Sequence, residues 1–213
     1  IAVFVIFLTP LLFYGWQRVV WAHYYASSIP NEINFTKATK LNPLFDVYKR
    51  NLSKLYRNEM ISLKDKDKKM AEEKFFLAHS AAEKALQISP LDIRNVRQLL
   101  LVKYWAGVNI NKKYHQGNIE LAQKLTSFSP TDPLSWDFLG LVYLDLGKLE
   151  EAKTAFGKEK TLNPNQPGVY LHLGEVFKQQ GKIQEAIELY KKAVSLAPGW
   201  DFAEKELKKA LEL

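Results

Sequence analysis

The chain has 213 residues, 47% of them hydrophobic and none a cysteine, so a sizeable core can form while disulfide frameworks, thiolate metal sites and a cysteine nucleophile are excluded. A mean hydropathy of -0.23 excludes a polytopic membrane protein for the chain as a whole. The net charge of +7 is uneven, with 11 Lys/Arg against 5 Asp/Glu in residues 1–70 and 19 against 18 in residues 71–213. A nucleic-acid binder would spread its basic residues along a binding face. Basic charge concentrated beside an apolar N-terminus is better explained by attraction to anionic lipid headgroups.

Ile1 to Trp16 carries no charged side chain. A spanning helix needs roughly 20 apolar residues, and the chain opens on Ile, so the stretch reads as a transmembrane helix cut short at its start. Pro10 is tolerable in such a helix. Tyr14, Trp16 and Trp21, with Arg18 and His23, have the composition of an interfacial belt. Residues 1–25 are therefore expected to be a membrane helix and its exit. A signal peptide, which would need a charged start and a small-residue cleavage site, and a buried soluble helix are the competing readings.

From Ser27 onward the pattern is helical, and no strand periodicity rises above it. Leu44, Val47, Tyr48, Leu52, Leu55 and Tyr56 recur at spacings of three and four, as do Phe75, Ala78, Ala82 and Ala85. The charged run from Ile61 to Glu73 between them reads as a loop or a frayed helix start.

The clearest signal is a repeat. Ser135–Pro164 and Val169–Pro198 align without a gap at a period of 34, the period of the tetratricopeptide repeat. The resemblance rests on Trp136, Leu139, Gly140, Tyr143, Gly147, Ala152, Phe156 and Pro164 in the first copy. In the second it rests on Tyr170, Leu173, Gly174, Phe177, Gly181, Ala186, Tyr190, Ala193 and Pro198. The first copy departs at one place, where Glu159 stands opposite Ala193. Gly140, Gly174, Ala152 and Ala186 are small where helices A and B of a unit cross, and the aromatics are expected to fill the space around them. Gly147 and Gly181 suit the left-handed end of helix A. Pro164 and Pro198 stop helix B.

Similar tags close at Pro43, Pro90 and Pro130, so the prolines are 47, 40, 34 and 34 residues apart. Residues 26–130 then read as divergent helical repeats, residues 131–198 as two regular units and residues 199–213 as a capping helix. In the cap, Phe202, Leu207 and Leu211 are expected to face inward. The fold class expected is all-α, a right-handed helical-hairpin solenoid preceded by the truncated membrane helix.

Stacked units of this kind form a concave groove from their A helices, suited to an extended peptide or a partner helix. Candidate groove residues are Asp137, Leu141, Leu171, His172, Glu175 and Lys178. Repeats of this family can clamp a C-terminal carboxylate with Lys and Asn. At the corresponding positions this chain has Asp137, Leu141, Leu171 and Glu175, which argues against such a clamp. The four histidines, His23, His79, His115 and His172, lack the i, i+4 spacing of a helical metal pair, and no phosphate-cradling glycine loop is present. No catalytic residue, cofactor or metal is expected, and the partners expected are a protein or peptide and, through residues 1–25, the lipid bilayer.

The apolar start, the aromatic exit, the tag from Lys37 to Pro43 and the Tyr-rich helix with Tyr48 and Tyr56 together resemble the C-terminal end of bacterial O-antigen ligase/polymerase-type membrane proteins that carry repeats after their last span. The resemblance implies an accessory, membrane-tethered interaction region at the bacterial cytoplasmic membrane. Its parent would transfer lipid-linked glycans, with catalytic residues outside these 213. A single-anchor scaffold without enzymatic activity and a secreted repeat protein remain alternatives. Arg18 beside the span, with Lys37, Lys40, Lys49 and Arg50 further on, leans towards a cytoplasmic face by the positive-inside rule.

Overall fold

The computed structural model describes the backbone of residues 2–27 and 31–213, and the side chains of 14–27 and 31–213. Among the described residues the regular structure is helical throughout. The chain divides into two compact units, residues 1–114 and 115–213. The first holds α1 (Ala2–Ser27), α2 (Glu32–Leu41), α3 (Asp46–Leu63), α4 (Lys68–Ile88) and α5 (Ile93–Asn109), and a 3-10 turn, Lys112–His115, spans the boundary. The second holds α6 (Asn118–Phe128), α7 (Pro133–Asp145), α8 (Leu149–Leu162), α9 (Pro167–Gln179), α10 (Ile183–Leu196) and α11 (Asp201–Leu211).

Five helices end by one device. α2, α4, α6, α8 and α10 each stop two residues before a proline, at Pro43, Pro90, Pro130, Pro164 and Pro198. The residues between, Asn42, Ser89, Ser129, Asn163 and Ala197, have φ from -132 to -141 and ψ from 75 to 82. Proline clashes with a helical residue before it and drives that residue to extended backbone. The stop therefore acts through the pre-proline residue as much as through the missing N–H. Each of those five residues still donates its own N–H to the carbonyl four back, such as Asn163 to Glu159 and Ala197 to Ala193. Helix A of each regular unit ends instead at Gly147 (φ 71) and Gly181 (φ 76), where a left-handed residue costs a glycine little.

In the first unit, α3 and α4 form a hairpin joined by residues 64–67. The charged run is thus mostly helix, with Asp67 accepting from the Met70 N–H as the cap of α4. Tyr56, Met60, Ala71, Phe75, Ala78, Val102, Ala106 and Ile110 make its main core. Phe75, Ala78, Ala82 and Ala85 are all buried, as their spacing predicts. Leu44 is not: it lies before α3 and is 80% exposed, whereas Asp46 and Ser53 are buried on that helix. Several buried polar groups form a network across α3, α4 and α5. Arg50 donates to Asp46, Asp92 and Asn95, while Asn95 donates to Asp46 Oδ2 at 2.7 Å and to the Ala85 carbonyl at 3.0 Å. Gln98 donates to Ser53 Oγ, which donates to the Ala78 carbonyl.

The expected membrane span falls on α1. Among the described residues no helix is long and apolar enough to cross a membrane, and the side chains of residues 1–13 lie outside the described residues. Tyr14, Trp16 and Trp21 are exposed, as is Tyr24, whose ring meets that of Trp21 edge-on at 5.6 Å.

In the second unit, α7/α8 and α9/α10 are successive antiparallel hairpins, followed by α11 packed on α10. Ala152, Phe156, Val169, Leu173 and Val176 form one core; Leu171, Ala186, Ile187, Tyr190, Ala193, Ala203 and Ala210 form the next. The cap is rotated from its expected register. Ala203, Glu206 and Ala210 are buried with Leu207 beside them, whereas Phe202 and Leu211 are 55% and 61% exposed. Small residues bring α11 close to α10, and Glu206 turns inward because Lys178 and Lys209 meet it, at 3.2 and 2.6 Å.

Candidate functional site

Most of the residues carrying the repeat resemblance are packing residues. Leu139, Gly140, Ala152, Phe156, Leu173, Gly174, Ala186, Tyr190 and Ala193 are buried, and Tyr143 and Phe177 pack at the core edge. The rings of Phe156 and Tyr190 lie against Gly140 and Gly174, filling the space that the missing side chains leave. Trp136 and Tyr170 do something else. Each is half-buried and latches helix A to the preceding tag, Trp136 Nε1 donating to the Pro130 carbonyl and the Tyr170 hydroxyl to the Pro164 carbonyl, both at 2.8 Å.

The six candidate groove residues divide into three groups. Leu171 belongs to the core and is 5% exposed, so it is not a groove residue. Its neighbour Tyr170 is half-buried and packs against both this core and the preceding one. Leu141 is half-buried at the edge of the α7–α9 core. Glu175 and Lys178 pair at 2.5 Å; Glu175 also accepts from the Tyr190 hydroxyl at 3.2 Å. Lys178 reaches Glu206 as well, which ties α9 to α11. The nearby carboxylates raise the Lys178 pKa despite its burial.

Asp137 and His172 come together with a third residue, Glu159. Asp137 Oδ1 and His172 Nδ1 are 3.0 Å apart, and one ligand atom from each of Asp137, Glu159 and His172 falls within 4.8 Å of the others. The imidazole lies against Phe156 at 5.1 Å between ring centroids, which holds its plane. Glu159 is 4% exposed. Its Oε2, Asp137 Oδ1 and His172 Nδ1 are all buried and make no well-directed hydrogen bond. Burial, and after it the charge of Asp137, push the Glu159 carboxyl up to about 8.

The three residues sit on three helices. Asp132 caps α7 by accepting from the Leu134 N–H, Pro133 occupies the first turn, and Asp137 follows one turn on. Glu159 stands in the last turn of α8, and His172 lies in α9, which begins at Pro167. They line a cleft of about 240 Å³, together with Asp132, Leu134, Asn163, Gln166 and Gly168. Glu159 was visible in the sequence only as the departure from Ala193. Histidine spacing along a single helix, the criterion applied there, has no means of detecting groups from three helices.

Two of the other three histidines also find partners: His79 Nδ1 lies 3.4 Å from Glu83, and buried His115 has its Nε2 2.6 Å from Asp145.

Family models of the tetratricopeptide repeat match residues 134–166 and 167–199. No curated protein matches the sequence. Among solved structures, a thermophilic TPR protein of Thermus thermophilus is similar at a TM-score of 0.66 and 19% identity, over 85% of this chain and 89% of that one. YrrB, a TPR protein with an unusual peptide-binding site, is similar at 0.65 and 17% identity over 90% of each chain. MamA is similar at 0.55 and 23% identity, over 74% and 81%. At such identities the likeness concerns the fold alone. The chain is thus an all-α protein with the fold of tetratricopeptide-repeat proteins, and residues 134–199 are two tetratricopeptide repeats.

Proposed function

We propose that the chain is a protein-interaction module, and that the face of α7 and α9 carrying Asp137, Leu141, His172, Glu175 and Lys178 receives an extended peptide. The observation that carries this reading is a division of labour along these helices. Leu139, Gly140, Leu173 and Gly174 complete the core with Phe156 and Tyr190. The proposed binding residues are half-buried, and two of them, Asp137 and His172, line an open cleft. Helical-hairpin repeats use such faces for peptide segments, and YrrB has this fold and a peptide-binding site. The test is selection of binding peptides from a displayed random library, followed by calorimetry. Asp137→Lys should weaken the selected peptide at least tenfold with circular dichroism unchanged. Undiminished binding would place the site elsewhere.

The finer reading is that this module is held at a membrane through α1. It is supported by the exposed aromatics Tyr14, Trp16, Trp21 and Tyr24 and by Arg18, which donates to the Lys40 carbonyl at the end of α2. Aromatic and basic side chains of this kind favour the headgroup region. Flotation with anionic vesicles tests it: the wild type should float, and joint replacement of Trp16, Trp21 and Tyr24 by serine should leave the chain at the bottom. A link to a glycan ligase or polymerase rests on the sequence junction, and sequencing the native gene upstream tests that part.

A further inference from the structure

We infer that Asp137, Glu159 and His172 form a binding site for a divalent first-row transition cation of the zinc type. The site goes beyond peptide recognition, and it shares Asp137 and His172 with the proposed peptide face.

The donor set is one imidazole nitrogen and two carboxylates, a combination that suits zinc and its neighbours better than calcium or magnesium, which prefer oxygen alone. Three observations converge on it. The three side chains come from three helices yet bring their ligand atoms within 4.8 Å of one another. Asp137 Oδ1 and His172 Nδ1 face each other at 3.0 Å, and Glu159 Oε2 is buried with no hydrogen-bond partner. Buried polar atoms are ordinarily satisfied, and an unpartnered buried carboxylate oxygen within 4.8 Å of an Asp–His pair marks a place for a shared positive partner. Lastly, Glu159 is 4% exposed at a position where the next repeat has Ala193, fully buried. A carboxylate there introduces a buried ionisable group that the equivalent position of the next repeat does without.

Tetrahedral zinc with bonds of about 2.0–2.1 Å holds its ligand atoms roughly 3.4 Å apart. Asp137 and His172 are already at 3.0 Å, so the remaining adjustment falls on Glu159, whose side chain has the torsions to supply it. The imidazole is held by its contact with Phe156. Three protein ligands leave a coordination position directed into the cleft, for water or for a donor on a bound partner. Such a cation would cross-link α7, α8 and α9.

The experiment is calorimetric titration of the chelator-treated 213-residue chain with Zn2+ alone, with thermal melts and with Co2+ absorption as a report on coordination. The expected result is saturable one-to-one binding, a raised Tm and a visible d–d band. Glu159→Ala restores the residue that the second repeat tolerates, so it should fold and lose at least tenfold in affinity together with the band. Glu159→Gln keeps the volume and should lose them likewise, and it decides the matter if the alanine variant does not fold. His172→Gln should shift the band. Absence of saturable binding, or binding that Glu159→Gln and Glu159→Ala leave unchanged, overturns the site. Peptide binding measured in chelator is a separate readout, so the two proposals can fail separately.

Discussion

The ring of Tyr190 lies so close over Gly174 that a Cβ added to that glycine would stand 2.5 Å from its Cε1. Phe156 covers Gly140 in the same way one repeat earlier. In each unit, then, one ring on helix B closes the crossing with helix A, and only a glycine lets it do so.

Gly174→Ala and Gly140→Ala should each destabilise the chain by about 1–3 kcal/mol, through overpacking that outweighs alanine's better helix propensity. Gly157 provides the contrast: it is helical in α8 and has nothing within 4 Å of an added Cβ. Gly157→Ala should therefore stabilise by ~0.5–1 kcal/mol. Urea denaturation of the three variants checks both signs.

The fully buried Asn95 amide holds α3, α4 and α5 together through Asp46, Arg50 and Ala85. Asn95→Leu has similar volume but leaves Asp46 and Arg50 without that partner. Removing one member of a buried polar network costs about 2–4 kcal/mol, and the denaturation midpoint should fall accordingly. A midpoint within error of wild type would mean that the network is worth nothing net.

Asp92 caps α5 and lies against Arg94 and Arg50. Its carboxyl is held below the usual range, chiefly by the hydrogen bond from the Arg94 side chain, with the Arg94 N–H and the Arg50 charge adding to it. The folded state therefore binds this proton less readily than the unfolded chain. The resulting stability is fully present above the unfolded aspartate value of about 4, and it is lost as pH falls through the lower folded value. Asp92→Asn should be less stable than wild type at pH 7, with the gap narrowing below pH ~4. Chemical denaturation at a series of pH values reads the slope.

Much of the regular half was legible because it rests on strict local rules. The glycines, Phe156, Tyr190 and the proline tags each answer one steric demand, and a second copy 34 residues on repeats the demands. Leu171 and the cap were misread because a single helix turn decides which neighbour is inward. Leu171 meets α10, and Ala203 and Ala210 displace Phe202 and Leu211 from the α11 core face. Glu159 was legible as an anomaly but not as a site, since its partners lie on other helices. The Lys37–Pro43 tag, which suggested a glycan-enzyme junction, ends α2 with the same pre-proline geometry as four later helices. As a helix stop it is common to the whole chain and does not single out one parent family.

The binding face carries a further constraint. Glu175 accepts from the Tyr190 hydroxyl and pairs with Lys178, so Glu175→Lys would disturb the core as well as the surface. Glu175→Gln keeps an acceptor and should lower the affinity of a selected peptide by about threefold or more with little change in Tm, as expected for loss of one partly exposed charge. Parallel calorimetry and melting curves separate the two effects.

The most direct test of the account is an amide chemical-shift map of the 15N-labelled chain titrated with the tightest peptide selected from a displayed library. The account predicts the largest shifts on the α7–α9 face, at Asp137, Leu141, His172, Glu175 and Lys178. Shifts confined to the α8 and α10 surfaces, around Lys153, Glu185 and Glu188, or failure to select any binding peptide, would contradict it.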